Sequence, residues 1–146
     1  MKIQRMISME FLGTAILAVA IVGSGHMAIN LQADSGMVLL INALATAIGL
    51  ALVIRIGMKV SGSHFNPAVT LVMLMLKKIT PQLSLFYITA QVVGAITGVG
   101  FANLLFDQKA LDQSSIERSG SNLFFSEIFA TAVYFGLFYV SQSEMT

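Results

Sequence analysis

The chain has 146 residues, 56% of them hydrophobic and 10% charged, with a mean hydropathy of +0.83. A water-soluble domain carries about 25% charged residues, so this is the composition of an integral membrane protein. A net charge of +1 offers no basic surface for nucleic acid, and the absence of cysteine excludes disulfides, thiolate metal sites and a cysteine nucleophile.

In chain order, Lys2 and Arg5 precede the apolar run Met9 to Ile29. The run is long enough to cross a bilayer, which takes about 20 apolar residues. Its basic start and the small residues Gly23-Ser24-Gly25 have the layout of a signal peptide. The apolar character continues through Met27 and Ile29, however, and further spans follow, so a retained helix is the simpler reading. The next spans are Met37 to Met58, Pro81 to Phe106 and Leu123 to Val140. All four are expected to be helices, because an open strand leaves backbone donors unpaired in lipid. Between the second and third lies Asn66 to Leu76, which at about 1.5 Å per residue covers only about half the hydrocarbon thickness. It is expected to enter the membrane and return to the same side.

Lys and Arg concentrate on cytoplasmic flanks. With the N-terminus inside, Lys2, Arg5, Arg55, Lys59, Lys77 and Lys78 are cytoplasmic, leaving Lys109 and Arg118 outside. The loop Asn30 to Gly36 and the polar stretch Asp107 to Asn122 then face the exterior, the latter with the composition of a flexible connection. Ala43, Ala47 and Ala51 on the second span, and Gly94 with Gly98 on the third, are small-residue rows that let helices approach closely.

Glu10 and Glu127 stand inside the first and fourth spans, each followed four residues later by Thr14 or Thr131 on the same helical face. The repetition suggests inverted internal repeats. Residues 1–106 would form the first repeat, 107–122 an external loop and 123–146 the first helix of a second repeat, all in one membrane domain. An intramembrane carboxylate is expected to face protein; it could brace structure, act as a helix-terminal acid or relay protons, and bracing is the reading adopted. Asn42 and Gln91 are read as interhelical hydrogen-bonding residues rather than ligands.

Asn66-Pro67 has the chemistry of a helix start. The Asn side-chain oxygen caps an orphan N–H, and Pro at the first helical position lacks the N–H that would have no partner. The residues before it, Ser61 to Phe65, cannot be helical, so their backbone must be buried in protein or line a cavity at membrane depth. With its oxygen spent on capping, the Asn66 amide is free to donate to a passing polar molecule, and the extended run supplies carbonyl acceptors. The positive end of the half-helix dipole at the same point disfavours cations. Neutral hydrogen-bonding solutes suit such a lining.

The ten residues Ser61-Gly62-Ser63-His64-Phe65-Asn66-Pro67-Ala68-Val69-Thr70 resemble the first signature motif of the aquaporin and glycerol-facilitator family. Glu10, Gly13 and Thr14, Ala90-Gln91 with Gly94-Ala95, and Glu127 with Thr131 extend the resemblance along the chain. It implies an all-α, aquaporin-like bundle with inverted repeats, here four transmembrane helices and one re-entrant half-helix. It further implies a tetrameric channel in the bilayer that passes water or small uncharged solutes such as glycerol, with no cofactor; from the residues themselves neither a metal site nor an enzyme is expected, since no nucleophile, metal cluster or acid-base pair stands away from the spans. By motif, Asn66, Pro67 and Ala68 with Gly62, Ser63, His64 and Phe65 would line the pore. Glu10, Glu127 and Gln91 would brace the loops.

Two departures stand out. Family members carry a second Asn-Pro-Ala and a pore-lining Arg, and the offset between Glu10 and Glu127 would put that second motif beyond Thr146; the chain is therefore expected to be a fragment or truncated form. The position where water-selective members offer an aromatic residue is held by Thr46. It would make a wider, more polar constriction suited to a polyol or metalloid acid, or else it serves helix packing. A secondary transporter and a non-conducting protein associating with longer channels are the competing functions. His64 reads as a fixed brace of a buried loop in preference to a pH gate. The short loops suit a bacterial plasma membrane.

Overall fold

The computed structural model describes residues 2–111 and 120–143, with the side chains at 127, 134, 135 and 137–143 excepted. The chain divides into two compact units, Met1–Asp112 and Gln113–Thr146. The first holds α1 (Lys2–Asn30), α2 (Ser35–Gly57), α3 (Pro67–Met75) and α4 (Pro81–Leu105); the second holds α5 (Ser121–Ser143). Among the described residues every regular element is a helix, as expected of an all-α membrane protein. Helices α1, α2 and α4 are long and apolar enough to cross a membrane. Helix α3 has nine residues, about 13 Å of helix, and can reach only part of the way through.

Local chemistry sets the helix boundaries. Asp34 caps α2 by accepting from the Met37 N–H at 2.9 Å, and Thr80 caps α4 by accepting from Leu83 at 3.3 Å, with Pro81 at the first position. Helix α1 starts at Lys2, well before the apolar run that begins at Met9. No Gly or Pro interrupts Lys2 to Ser8, so the helix continues past the hydrocarbon edge and carries Lys2 and Arg5 to the interface. The polar stretch after α4 was expected to be loose, yet its first residues fold back. Gln108 N–H donates to the Asn103 carbonyl at 2.9 Å, and the Asn103 amide donates to the Ala110 carbonyl at 3.2 Å. Asn103 Oδ1 in turn lies 3.0 Å from His26 Nε2, tying this corner to α1. Residues 112–119 of that stretch lie outside the described residues.

Helix α1 packs against both α2 and α4, and α3 packs against α4. The α1–α4 contact is very close. A methyl group on Gly94 would run into the Phe11 carbonyl, and one on Gly98 into the Ala15 carbonyl. The GxxxG row therefore works as expected, by removing side chains where two backbones meet. The alanine row does not: Ala43, Ala47 and Ala51 are exposed. The α2 contact with α1 is made instead through Gly49, where an added methyl would lie 3.4 Å from Ala20 Cβ. Small-residue spacing alone did not say which α2 face meets α1.

Because the obstacle at Gly94 is backbone, it cannot move aside as a flexible side chain would. Gly94→Ala is expected to destabilise the bundle by about 1–3 kcal/mol. This will register as a lower midpoint of thermal unfolding in detergent and a smaller monodisperse fraction, and an unchanged midpoint would contradict the close contact.

Candidate functional site at the start of the half-length helix

The segment joining α2 to α3 turns through an unusual backbone. Gly62, Ser63 and Phe65 have φ values of 88, 55 and 47°, the left-handed region in which only glycine is unstrained. Each of the two non-glycine residues costs about 1–3 kcal/mol and persists only where surrounding contacts impose it.

Those contacts converge on Glu10, which is fully buried. Its Oε1 accepts from Ser61 Oγ at 2.6 Å and from the His64 N–H at 3.0 Å. Its Oε2 accepts from the Phe65 N–H at 2.7 Å and from Gln91 Nε2 at 2.8 Å. Gln91 uses its second amide hydrogen on Thr70 Oγ1 at 3.0 Å, so one carboxamide links the carboxylate of α1 to the first turn of α3. Thr70 Oγ1 is also 3.0 Å from His64 Nδ1, and the His64 ring meets Tyr87 edge-on at 5.3 Å. The Tyr87 hydroxyl donates to the Ser61 carbonyl at 2.8 Å. No buried side-chain N or O atom among the described residues lacks a hydrogen bond.

Packing completes the clamp. The Phe65 ring occupies the space that side chains on Gly13 and Gly57 would fill; a methyl on Gly57 would lie 2.7 Å from both Phe65 Cζ and Ser63 Oγ. Thus α1, α2 and α4 all hold the segment, and its side chains Ser63, His64 and Phe65 are buried in protein.

The backbone of the segment is only partly paired. With the His64 and Phe65 N–H groups turned to Glu10, the carbonyls of Gly62, Ser63 and His64 accept nothing from the described residues. The Phe65 carbonyl has Thr14 Oγ1 at 3.4 Å, but that hydroxyl bonds better to the Glu10 carbonyl at 2.8 Å. The sequence expectation had Gly62 to Phe65 offer carbonyls to a permeant; the side chains of Ser63, His64 and Phe65 are buried in protein. Asn66 follows, extended at φ −151° and exposed, its Oδ1 accepting from the Ala68 N–H at 2.8 Å. Its carboxamide nitrogen has no partner among the described residues. Pro67 and Ala68 are half-buried in the first turn of α3.

Thr46 lies elsewhere, about 16 Å along α2 from Gly57, half-buried, its hydroxyl donating to the Asn42 carbonyl at 2.7 Å. The Glu127 side chain lies outside the described residues. Sequence reasoning missed Thr70 and Tyr87 as members of the network. The α4 row Ser84, Tyr87, Gln91, Gly94 and Gly98 was the available signal, since a polar residue in line with packing glycines must face protein.

The fold and this site define an all-helical membrane protein whose short helix starts inside the bundle from a buried, non-helical segment. The chain belongs to the major intrinsic protein family, whose model matches residues 1–146. Among its relatives, an aquaglyceroporin of Rhizobium meliloti, AqpS, is 43% identical over 118 residues, covering 81% of this chain and 51% of the relative. Aquaporin-4 of Mus musculus is 39% identical over 103 residues, covering 68% and 31% respectively. Aquaporin A of Dictyostelium discoideum is 38% identical over 91 residues, covering 62% and 33%. The chain thus spans about half the length of the first relative and about a third of the other two.

Removing the imidazole leaves Thr70 and Tyr87 without their contact, so His64→Ala is expected to cost about 2 kcal/mol of stability. Assembled protein and transport should fall together with no new pH dependence. Normal assembly with an altered pH profile would make His64 a gate instead.

Proposed function

We propose that this chain contributes to a passive transmembrane channel for water and small neutral solutes such as glycerol. One observation carries the reading: a free Asn66 amide donor at the positive end of α3 follows a non-helical segment with unpartnered carbonyls, anchored by a buried carboxylate. A solute that both donates and accepts hydrogen bonds can exchange its water shell for such a lining, whereas a cation meets the helix dipole. The names of the relatives, aquaglyceroporin and aquaporin, support the same substrate class.

In this reading Asn66 orients the permeant, Gly62 to Phe65 supply carbonyls, and Pro67 and Ala68 close the first turn beside the path. Glu10 and Gln91 hold the segment, Glu127 does the same for a second repeat, and Thr46 lines a polar constriction. The domain plan follows: residues 1–106 form the first repeat, 107–122 an external connection and 123–146 the start of the second. Protomers associate as homotetramers in a bacterial inner membrane. Lys2, Arg5, Arg55, Lys59, Lys77 and Lys78 put the N-terminus in the cytoplasm.

Protein extracted from its native membrane and reconstituted in liposomes should raise water and glycerol permeability above that of protein-free vesicles, without saturation and without dependence on an ion gradient. Saturable or ion-coupled uptake would point to a transporter. Asn66→Asp removes the free donor and sets a carboxylate in the path, and it is expected to lower glycerol flux at least tenfold; an unchanged rate would take Asn66 out of the mechanism. Because the sequence contains no cysteine, single replacements report orientation directly. In intact cells Lys109→Cys should react with a membrane-impermeant maleimide and Lys78→Cys should not.

A further inference from the structure

Arg5, Ser8, Leu12 and Ile16 follow one another at helical spacing on the face of α1 opposite Glu10, and all are exposed. A polar groove of about 500 Å³ is lined here by Gln4, Arg5 and Ser8 together with Met9, Leu12 and Val60. It shares Leu12 with an apolar groove of about 350 Å³ on the α1–α4 seam, which continues past Ile16 and Val19 against Phe101. It shares Ser8 with a second apolar groove of about 370 Å³ on that seam, walled by Phe11 and by Phe86 and Val93 of α4. Each has the size of a small-molecule site, about 300–1,000 Å³. From Arg5 to Val19 the helix rises about 21 Å, the depth of one leaflet with its head groups. The Arg5 charge is not neutralised within residues 2–106. Of the carboxylates there, Glu10 is buried and spent on the re-entrant segment, and Asp34 caps the far end of α2.

We propose that these adjoining grooves are a binding site for one anionic phospholipid, with its phosphate on Arg5 and its two chains in the apolar grooves of the α1–α4 seam. A planar guanidinium matches two phosphate oxygens at once, and Gln4 and Ser8 supply further donors to the head group. Because α1 continues past the hydrocarbon edge, Arg5 stands at the level of lipid phosphates, while Leu12 and Ile16 lie at the depth of acyl chains. Lys2, one turn before Arg5, and Lys59, next to Val60, extend the positive field. A zwitterionic head group brings its own cation into that field, so the site favours a lipid with net negative charge. The inference is independent of what the protein conducts.

The test is a titration of the detergent-solubilised full chain with phosphatidylglycerol and with phosphatidylcholine of the same two chains, bound lipid being counted by native mass spectrometry. Phosphatidylglycerol is expected to bind about tenfold more tightly, and Arg5→Gln, at an exposed position, to cut that preference to about twofold. Lys78→Gln removes a cation that does not line the grooves and should leave the preference within about twofold of wild type. An excess of inorganic phosphate should not displace the lipid. Equal affinity for the two lipids, or a preference lost equally in both variants, would mean diffuse attraction to a positive end of the bundle and overturn the site. Displacement by inorganic phosphate would make it a site for a free anion and overturn the lipid assignment. A change in the number of copies per particle in Arg5→Gln with lipid binding unaltered would make this face a contact between copies and overturn it equally.

Discussion

A backbone segment that is neither helix nor strand can exist at membrane depth only if its polar groups are answered by protein. In this chain the Glu10 carboxylate answers them. It accepts from two consecutive N–H groups of the segment, from the hydroxyl that begins it and from the amide of Gln91. His64 and Phe65 turn their N–H groups toward one acceptor through a backbone that is left-handed at Ser63 and Phe65. The strained backbone and the buried carboxylate are two aspects of one arrangement.

For Glu10 to reach Gln91, α1 and α4 must lie closer than ordinary side chains allow. Gly94 and Gly98 provide that closeness directly below Gln91, where the α4 backbone meets the Phe11 and Ala15 carbonyls. Gly13 and Gly57 do the same around the Phe65 ring. The glycines and the polar cluster are thus interdependent. Bringing the helices together without the cluster would bury unpaired donors, and the cluster without the close approach would be out of hydrogen-bonding range.

Two asparagines show how neighbours settle hydrogen-bond direction. Asn66 gives its oxygen to the half-helix and keeps its donors, whereas Asn42 gives its donors to α1 and keeps its oxygen. The same residue type thus plays opposite roles according to what its neighbours take.

The sequence by itself determined that this is a helical membrane protein, where the spans of α1, α2 and α4 lie, and that Asn66-Pro67 starts a helix too short to cross. Those conclusions need only hydropathy, length and capping chemistry, all of which act between residues near one another in the chain. It also marked Glu10 and Gln91 as residues that must face protein. Only the tertiary structure decided what they face: a carboxylate and an amide 81 positions apart meeting at 2.8 Å is a result of packing. It also decided that Gly49 and not the alanine row meets α1, that the side chains of Ser63, His64 and Phe65 are buried, and that Tyr87 and Thr70 complete the cluster. A helical face is inward or outward according to which partner reaches it, and in a chain whose lipid-facing and core-facing residues are equally apolar, hydrophobic periodicity carries no record of that choice.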